Sequence, residues 1–270
     1  MGKVKTGRNL PNAIIVGLFL IGLVVLTLFI NKYAFTFLAL AAVLIAGYEV
    51  TSQLNRVKEI NLSVFVNLFL ISVFIIFSVL FEEIGFIYAL ILGVVFSFIY
   101  SYSQKIFKQN FLFTISTVLY LGIFGGLAML MLNQPDGAER VFIFITLTAL
   151  SDTGGYFSGI LFGKHKLAPT ISPKKSYEGL FGSVLLSVVL SIFISPLFLN
   201  LNLIESAIIG VILPLTGTAG DLFESYVKRN LKIKDFSALL PGHGGMADRI
   251  DSLAFNSLFS YLLFGIFLGF

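Results

Sequence analysis

The 270-residue chain is 57% hydrophobic and only 12% charged, with a formal net charge of +4. Soluble domains carry about 25% charged residues, so composition excludes a soluble protein even though the length would suit one or two such domains. The absence of Cys rules out a disulfide framework and thiol chemistry, and the absence of Trp leaves any interfacial aromatic belt to Tyr.

A bilayer-crossing helix needs about 20 largely apolar residues. Met1–Arg8 is short and basic and leads into an apolar run, like the start of a signal peptide. It lacks a small-residue cleavage site and further apolar runs follow at once, so this run reads as a retained transmembrane helix. Nine spans are expected in all: 13–31, 33–49, 62–81, 84–103, 111–131, 141–162, 179–199, 204–219 and 252–270. Charge supports that count. With nine spans, one side of the membrane receives Lys3, Lys5, Arg8, Arg56, Lys58, Lys105, Lys108, Lys164, Lys166, Lys174, Lys175, Lys228, Arg229, Lys232, Lys234 and Arg249; the other receives Lys32 and Arg140. The positive-inside rule makes the first side cytoplasmic. The expected fold is therefore all-α, a polytopic integral membrane protein of about nine transmembrane helices with a cytoplasmic N-terminus. Losing an early helix would scramble the partition. Residues 1–140 read as a transmembrane scaffold. Residues 141–270 read as the catalytic region, with cytoplasmic loops at 163–178 and 220–251. No internal repeat suggests an inverted-repeat transporter.

The residues with chemistry concentrate in the second half. Asp152 lies inside the sixth span, and a carboxylate in hydrocarbon marks a functional site by default; the plainer reading is an acid hydrogen-bonded to a neighbouring Ser or Thr. The adjoining Gly154 and Gly155 suggest close helix contact or a local break at a ligand. The sixth connection carries Lys164, His165, Lys166, Ser172, Lys174 and Lys175. Lys is a compact phosphate ligand, and Ser-Pro-Lys-Lys leading into the seventh span would add the free N–H groups of a helix N-terminus. The competing reading is topological, since cytoplasmic loops carry lysines in any case.

Asp221 follows the eighth span. If the helix continues, Asp221, Glu224, Ser225 and Lys228 share a face. Mg²⁺ favours one or two carboxylates supplemented by water and substrate phosphates. Residues 241–251 then read PGHGGMADRID. Glycines around His243 let the backbone bend and present N–H groups, Asp248 and Asp251 share a helical face, and Arg249 offers a fork for phosphate. Cations, acids and flexible backbone at a membrane surface point to chemistry on a phosphorylated lipid, a nucleotide, or both.

These residues carry a resemblance. Ser225-Tyr226-Val227-Lys228-Arg229, Lys234-Asp235, Pro241-Gly242-His243-Gly244-Gly245 and Asp248-Arg249-Ile250-Asp251 are similar to the signature of phosphatidate cytidylyltransferases, also called CDP-diacylglycerol synthases. A second block, Asp152 to Gly179 with its FGKHKLAP and SPKK elements, resembles the same family, departing mildly at Gly154 and Ser176-Tyr177, where Ala and Thr-Trp are commoner. The first 140 residues share only a stack of apolar spans.

The resemblance implies a multi-pass enzyme of the cell (inner) membrane, with its active site facing the cytoplasm. It would convert CTP and phosphatidate to CDP-diacylglycerol and diphosphate, with Mg²⁺ held by Asp221 and Asp248 and room for a second cation such as K⁺. On that basis Lys228, Arg229 and Arg249 would neutralise the departing diphosphate. Asp152, Lys164, Lys166, Ser172, Lys174, Lys175, Ser225, Gly244 and Gly245 would line the substrates. His243 would donate a hydrogen bond, and Asp251 would ligate metal or orient Arg249. A CDP-archaeol synthase acting on an ether lipid and a transporter or flippase of phosphorylated lipid are the alternatives. No nucleic-acid partner is expected, and the Gly-rich helices suit packing within one chain or across a homodimer.

Overall fold

The computed structural model describes residues 10–57, 60–240 and 244–270. Lys3, Lys5, Arg8, Lys58 and His243 lie outside them. The chain folds as α1 (Leu10–Ile30), α2 (Lys32–Leu54), α3 (Val64–Tyr102), α4 (Phe107–Leu132) and α5 (Gly137–Phe162), then a hairpin of β1 (Lys166–Ala168) and β2 (Ser172–Ser176), and finally α6 (Tyr177–Leu199), α7 (Leu203–Asn230) and α8 (Ala247–Leu268). Among the described residues, α2 to α8 are each long and apolar enough to cross a bilayer. The dominance of helix follows from the solvent: in hydrocarbon every backbone N–H and C=O must be satisfied within its own segment.

The expected third and fourth spans form one element, α3. Its backbone leaves helical geometry at Glu82 (φ 54°, ψ −137°), and the two legs fold back on each other so that Phe74 meets Phe86 edge to face at 5.8 Å. α4 is the central helix, buried almost without interruption from Thr117 to Leu132 and packed against α2, α3, α5 and α8. A helix apolar on all sides is at home in such a position.

Lipid is as apolar as Leu, so helices associate through close packing and hydrogen bonds. The α5–α6 pair uses both small residues and buried serines. A Cβ on Gly154 would lie 2.9 Å from the carbonyl oxygen of Gly182, and one on Gly182 would overlap Ser158. The paired glycines therefore mark close helix contact. Ser183, Ser187, Ser191 and Ser195 form a buried row on α6, and Ser191 donates to the carbonyl of Ser206 on α7 (2.7 Å). Asn256 of α8 joins three helices: it accepts from Thr216 of α7 (2.5 Å) and donates to Thr148 of α5 (2.9 Å).

Hydrogen bonds sort the connections into two ends. Asn61 N–H to Asn110 Oδ1 (3.2 Å), Gln53 Nε2 to the carbonyl of Phe236 (2.5 Å) and Arg229 Nε to the carbonyl of Ile171 (3.2 Å) tie one set together. Asn133 Nδ2 to the carbonyl of Ser78 (2.8 Å) and Arg140 Nη1 to the carbonyl of Gly269 (3.0 Å) tie the other. The sequence-based charge partition grouped these connections in the same way.

Two expectations change. The loop expected at 220–251 is shorter, because α7 runs on to Asn230 and α8 begins at Ala247. α7 ends in a Schellman turn: Lys232 takes a left-handed conformation (φ 57°), Ile233 N–H bonds the carbonyl of Lys228 (3.0 Å) and Lys232 N–H that of Arg229 (3.1 Å). The 163–178 connection holds an antiparallel hairpin, so Lys174 and Lys175 lie on β2. They do not supply the helix N-terminus, where Ser176 caps α6 by accepting from Gly179 N–H (3.1 Å).

Two stability measurements follow. Gly182→Val should lower stability in detergent by roughly 1–3 kcal/mol through overpacking, read as a drop in thermal midpoint. Lys232→Gly should raise it by about 1 kcal/mol, because a side chain is disfavoured at a left-handed position, and turnover should stay near that of the parent protein.

Candidate active site

The second half of α7 carries the first acids. From Asp221, positions 224, 225 and 228 follow on one face of the continuing helix, as anticipated. Ser225 Oγ donates to Asp221 Oδ1 (3.2 Å), and Lys175 Nζ forms an ion pair with Asp221 Oδ2 at 2.7 Å while also donating to the carbonyl of Thr218 (3.3 Å). Lys175 thus ties the hairpin to α7. Gly220 lets α8 close on α7 at this level, since a Cβ there would lie 2.8 Å from the carbonyl oxygen of Asp251. Asp152 lies one turn beyond Thr148, which Asn256 of α8 bonds (2.9 Å), so the α5 turn bearing Asp152 neighbours the start of α8 with Asp251 and Arg249. Arg249 is exposed and makes no ion pair among the described residues. Asp251 accepts from Ser252 N–H (2.7 Å).

A second cluster lies one to two turns further along α7. Lys228, 8% exposed, places its ammonium between Glu224 Oε1 (2.8 Å) and Asp248 Oδ1 (2.7 Å). The other oxygen of Asp248 accepts from the backbone N–H of Phe236 (2.9 Å) and of Gly245 (2.8 Å). Asp248 therefore joins α7, the 231–246 loop and α8 in one side chain. Gly244 adopts φ +86°, a conformation costly for any residue with a Cβ. Gly245 has no room for one, because a Cβ would sit 2.5 Å from Glu49 Oε2.

Asp152, Lys175, Asp221, Ser225, Arg249 and Asp251 come together in the first cluster, and Lys228, Gly244, Gly245 and Asp248 in the second. Arg229 is exposed and acts as a brace, bonding the carbonyls of Ile171 (3.2 Å) and Ile233 (3.4 Å). Lys164, Lys166 and Lys174 are exposed on the hairpin and make no ion pair among the described residues. The hairpin is steadied instead by Glu178, which accepts from the N–H of Lys164 (3.1 Å) and of His165 (3.2 Å) and meets His165 Nδ1 at 2.6 Å. Ser172 opens β2, half-buried. His243 falls outside the described residues, so its placement is not part of this geometry.

Three contributors were missed. Glu49 of α2, 5% exposed, accepts from Ser237 Oγ (2.6 Å), Met246 N–H (3.1 Å) and Ala247 N–H (2.9 Å). Gln53, one turn on, bonds the carbonyl of Phe236. The buried hydroxyl of Tyr120 on α4 has no hydrogen-bond partner among the described residues, and its ring packs on Phe223 (6.0 Å) and Phe255 (6.4 Å), on the turns of α7 and α8 that carry Glu224 and Asp251. A signal for Glu49 existed: an acid closing an otherwise apolar span is costly unless it has a task.

Among the described residues, no three His, Asp or Glu side chains form a ready-made metal cage. Such a cage is not what Mg²⁺ requires, since it takes one or two carboxylates and completes its shell with water and substrate phosphates. Asp221 fits that description. The ammonium held 2.7 Å from its Oδ2 shows that the position already stabilises positive charge.

Comparison with known proteins accords with this chemistry. A model of the cytidylyltransferase family matches residues 11–267. The phosphatidate cytidylyltransferase of Mycobacterium leprae (strain TN) is 33% identical over 266 residues, covering 92% of this chain and 85% of that protein. Its counterpart in Thermotoga maritima is 33% identical over 254 residues, 89% and 91% of the two chains. That of Staphylococcus epidermidis is 38% identical over 147 residues, 53% and 55%. The first two alignments run nearly end to end, well beyond the C-terminal motifs. The chain belongs to the cytidylyltransferase family and is a membrane-embedded nucleotidyltransferase.

Proposed function

We propose that the protein transfers the cytidylyl group of CTP to phosphatidate, giving CDP-diacylglycerol and diphosphate in phospholipid biosynthesis. The observation that carries this reading is that Lys175 of the hairpin is paired with Asp221 of α7 at 2.7 Å, where Gly220 lets the Asp251 turn of α8 close against α7, in a chain of this family. An oxygen of the phosphatidate phosphate attacks the α-phosphorus of CTP; the bond from that phosphorus to the bridging oxygen breaks, and diphosphate leaves with the electron pair. The nucleophile is already anionic at neutral pH, so no strong general base is needed. The obstacle is repulsion between two polyanions, and catalysis rests on positioning and electrostatics.

In this reading Arg249, exposed and without an ion pair among the described residues, meets the triphosphate with its guanidinium fork. Lys175 moves between Asp221 and substrate phosphate. Lys164, Lys166 and Lys174 draw anionic headgroups and nucleotide toward the site. Lys228 stays between Glu224 and Asp248, since leaving would strand two buried carboxylates; its contribution is to set the position of Asp248 and hence of Arg249 next to it. Mg²⁺ is taken as the cofactor, with Asp221 its principal carboxylate and Asp248 a second that would share an oxygen between the ion and Lys228, which stays in place. Bound there it would supply charge neutralisation of the phosphates during transfer. Asp152 and Asp251 leave surplus negative charge in which a second cation such as K⁺ would sit.

The same reading places nine helical crossings in the membrane, counting the legs of α3 separately, and puts the site and the N-terminus on the cytoplasmic side of the cell membrane in keeping with the charge partition. The partners are CTP, phosphatidate and the bilayer. A homodimer would leave this site within each chain. Membership of a transferase family leaves the carrier alternative without support, and the ether-lipid alternative differs only in the lipid supplied.

Purified protein in detergent, given Mg²⁺, labelled CTP and phosphatidate, should form CDP-lipid and diphosphate in equal amounts. Chelation should stop the reaction and added Mg²⁺ restore it. An ether-linked lipid phosphate run in parallel distinguishes the archaeol-type reading. Absence of CDP-lipid from both lipids would overturn the assignment. Asp221→Asn should lower turnover roughly a thousandfold with an unchanged elution profile; near-normal turnover would remove Asp221 from the metal site.

A further inference from the structure

We infer that Glu49, on α2 and remote in sequence from every motif of the family, is a positioning residue for nucleotidyl transfer. The inference rests on the reaction proposed above.

α8 has a weak start of its own. Its N-cap residue is Met246, whose side chain makes no capping bond, although the first N–H groups of a helix need acceptors. Glu49 provides them from another helix, taking Met246 N–H on Oε1 and Ala247 N–H on Oε2. A carboxylate at this point also meets the positive end of the α8 dipole. Oε1 further accepts from Ser237 Oγ, on the far limb of the 231–246 loop. Both carboxylate oxygens are thus committed to the segment that leads into Asp248 and Arg249.

Asp248 grips the same segment from the opposite side. Gly245 shows the two grips meeting, because its N–H goes to Asp248 while the space for a Cβ is filled by Glu49. Phe236 shows it again. Its N–H bonds Asp248, its carbonyl bonds Gln53 one turn beyond Glu49, and its ring lies 5.9 Å beneath the Lys228 ammonium. Removing the Glu49 charge would free the first turn of α8, which carries both Asp248 and Arg249. Misplacement of a reacting geometry by about 1 Å costs on the order of a hundredfold in rate.

The test uses the full chain in detergent and two variants. Glu49→Gln keeps the size of the side chain but turns an amide NH₂ toward backbone N–H groups. It should lower kcat about 10- to 100-fold per folded molecule, with the KM for CTP changed less than about threefold. Glu49→Asp keeps the charge at the α8 N-terminus and should bring kcat back to within about fivefold of the parent. A readout free of substrate accompanies these: hydrogen exchange in peptides covering residues 244–249 should accelerate at least about tenfold in Glu49→Gln. Unchanged exchange overturns the clamp. Accelerated exchange with kcat within twofold of the parent overturns the positioning role, as does a loss of activity that tracks only the loss of folded protein. If the parent protein makes no CDP-lipid, the reaction reading and the catalytic part of this inference fall together, while the exchange data still decide whether Glu49 holds α8.

Discussion

The ammonium of Lys228, seated between Glu224 and Asp248, is the interaction on which the site end of the molecule depends. Its three members come from the end of α7 and the start of α8, and all are buried. Charges in such surroundings are tolerable only when paired and fully hydrogen-bonded, and removing one partner typically costs about 3–5 kcal/mol. Asp248 meets that condition by spending its second oxygen on two backbone N–H groups. The ion pair therefore fixes backbone as well as side chains. The loop after α7 is fastened at Phe236 and Gly245, the entry of α8 follows, and Arg249 is presented outward from a rigid base. From the far side, Glu49 holds the same stretch by its neighbouring amides. Two acids thus hold Phe236 and Ser237 at one limb of this connection and Gly245 to Ala247 at the other.

The membrane-crossing architecture was largely legible in the sequence because one rule dominates it. Long apolar stretches must be helical, and Lys and Arg sort the connections between them. Each expected stretch coincides with helix in the structure, and the ends group as the charges implied. What escaped was set by contacts rather than by composition. Reading α7 as ending near residue 219 treats the first charged residue as the membrane surface, but the Glu224–Lys228 pair carries the helix another two to three turns. Lys174 and Lys175 were visible as cations, yet nothing local distinguishes a lysine-rich hairpin from a lysine-rich helix entry. Their difference in role comes from Asp221, 46 positions beyond Lys175, which captures that lysine alone. The acids of the C-terminal motif were equally visible, whereas the pairing of Asp248 with Lys228 was not. Glu49 escaped because the first half of the chain offers no motif, and its partners are close to two hundred positions away.

The balance of charge around the site bears on the proposed need for a cation. Asp152, Asp221 and Asp251 are carried by neighbouring turns of α5, α7 and α8, with Lys175 paired to Asp221 and Arg249 exposed beside them. Glu224 and Asp248 share the single charge of Lys228 a little deeper. Within these two clusters carboxyl groups thus outnumber cationic side chains before any substrate arrives. Two polyanions, a triphosphate and a lipid phosphate, could not approach such a surface unaided, because like charges at 4 Å repel by about 4 kcal/mol each at an effective dielectric constant of 20. The lysines of the hairpin ease the approach, but as exposed charges they are screened by water and salt. A divalent ion against Asp221 would reverse the sign where the phosphates must meet, and it would release Lys175 to follow the charge onto the leaving diphosphate. The excess of carboxyl groups is unfavourable in a purely protein site, and in the proposed reaction it would become useful if a metal ion entered together with the nucleotide.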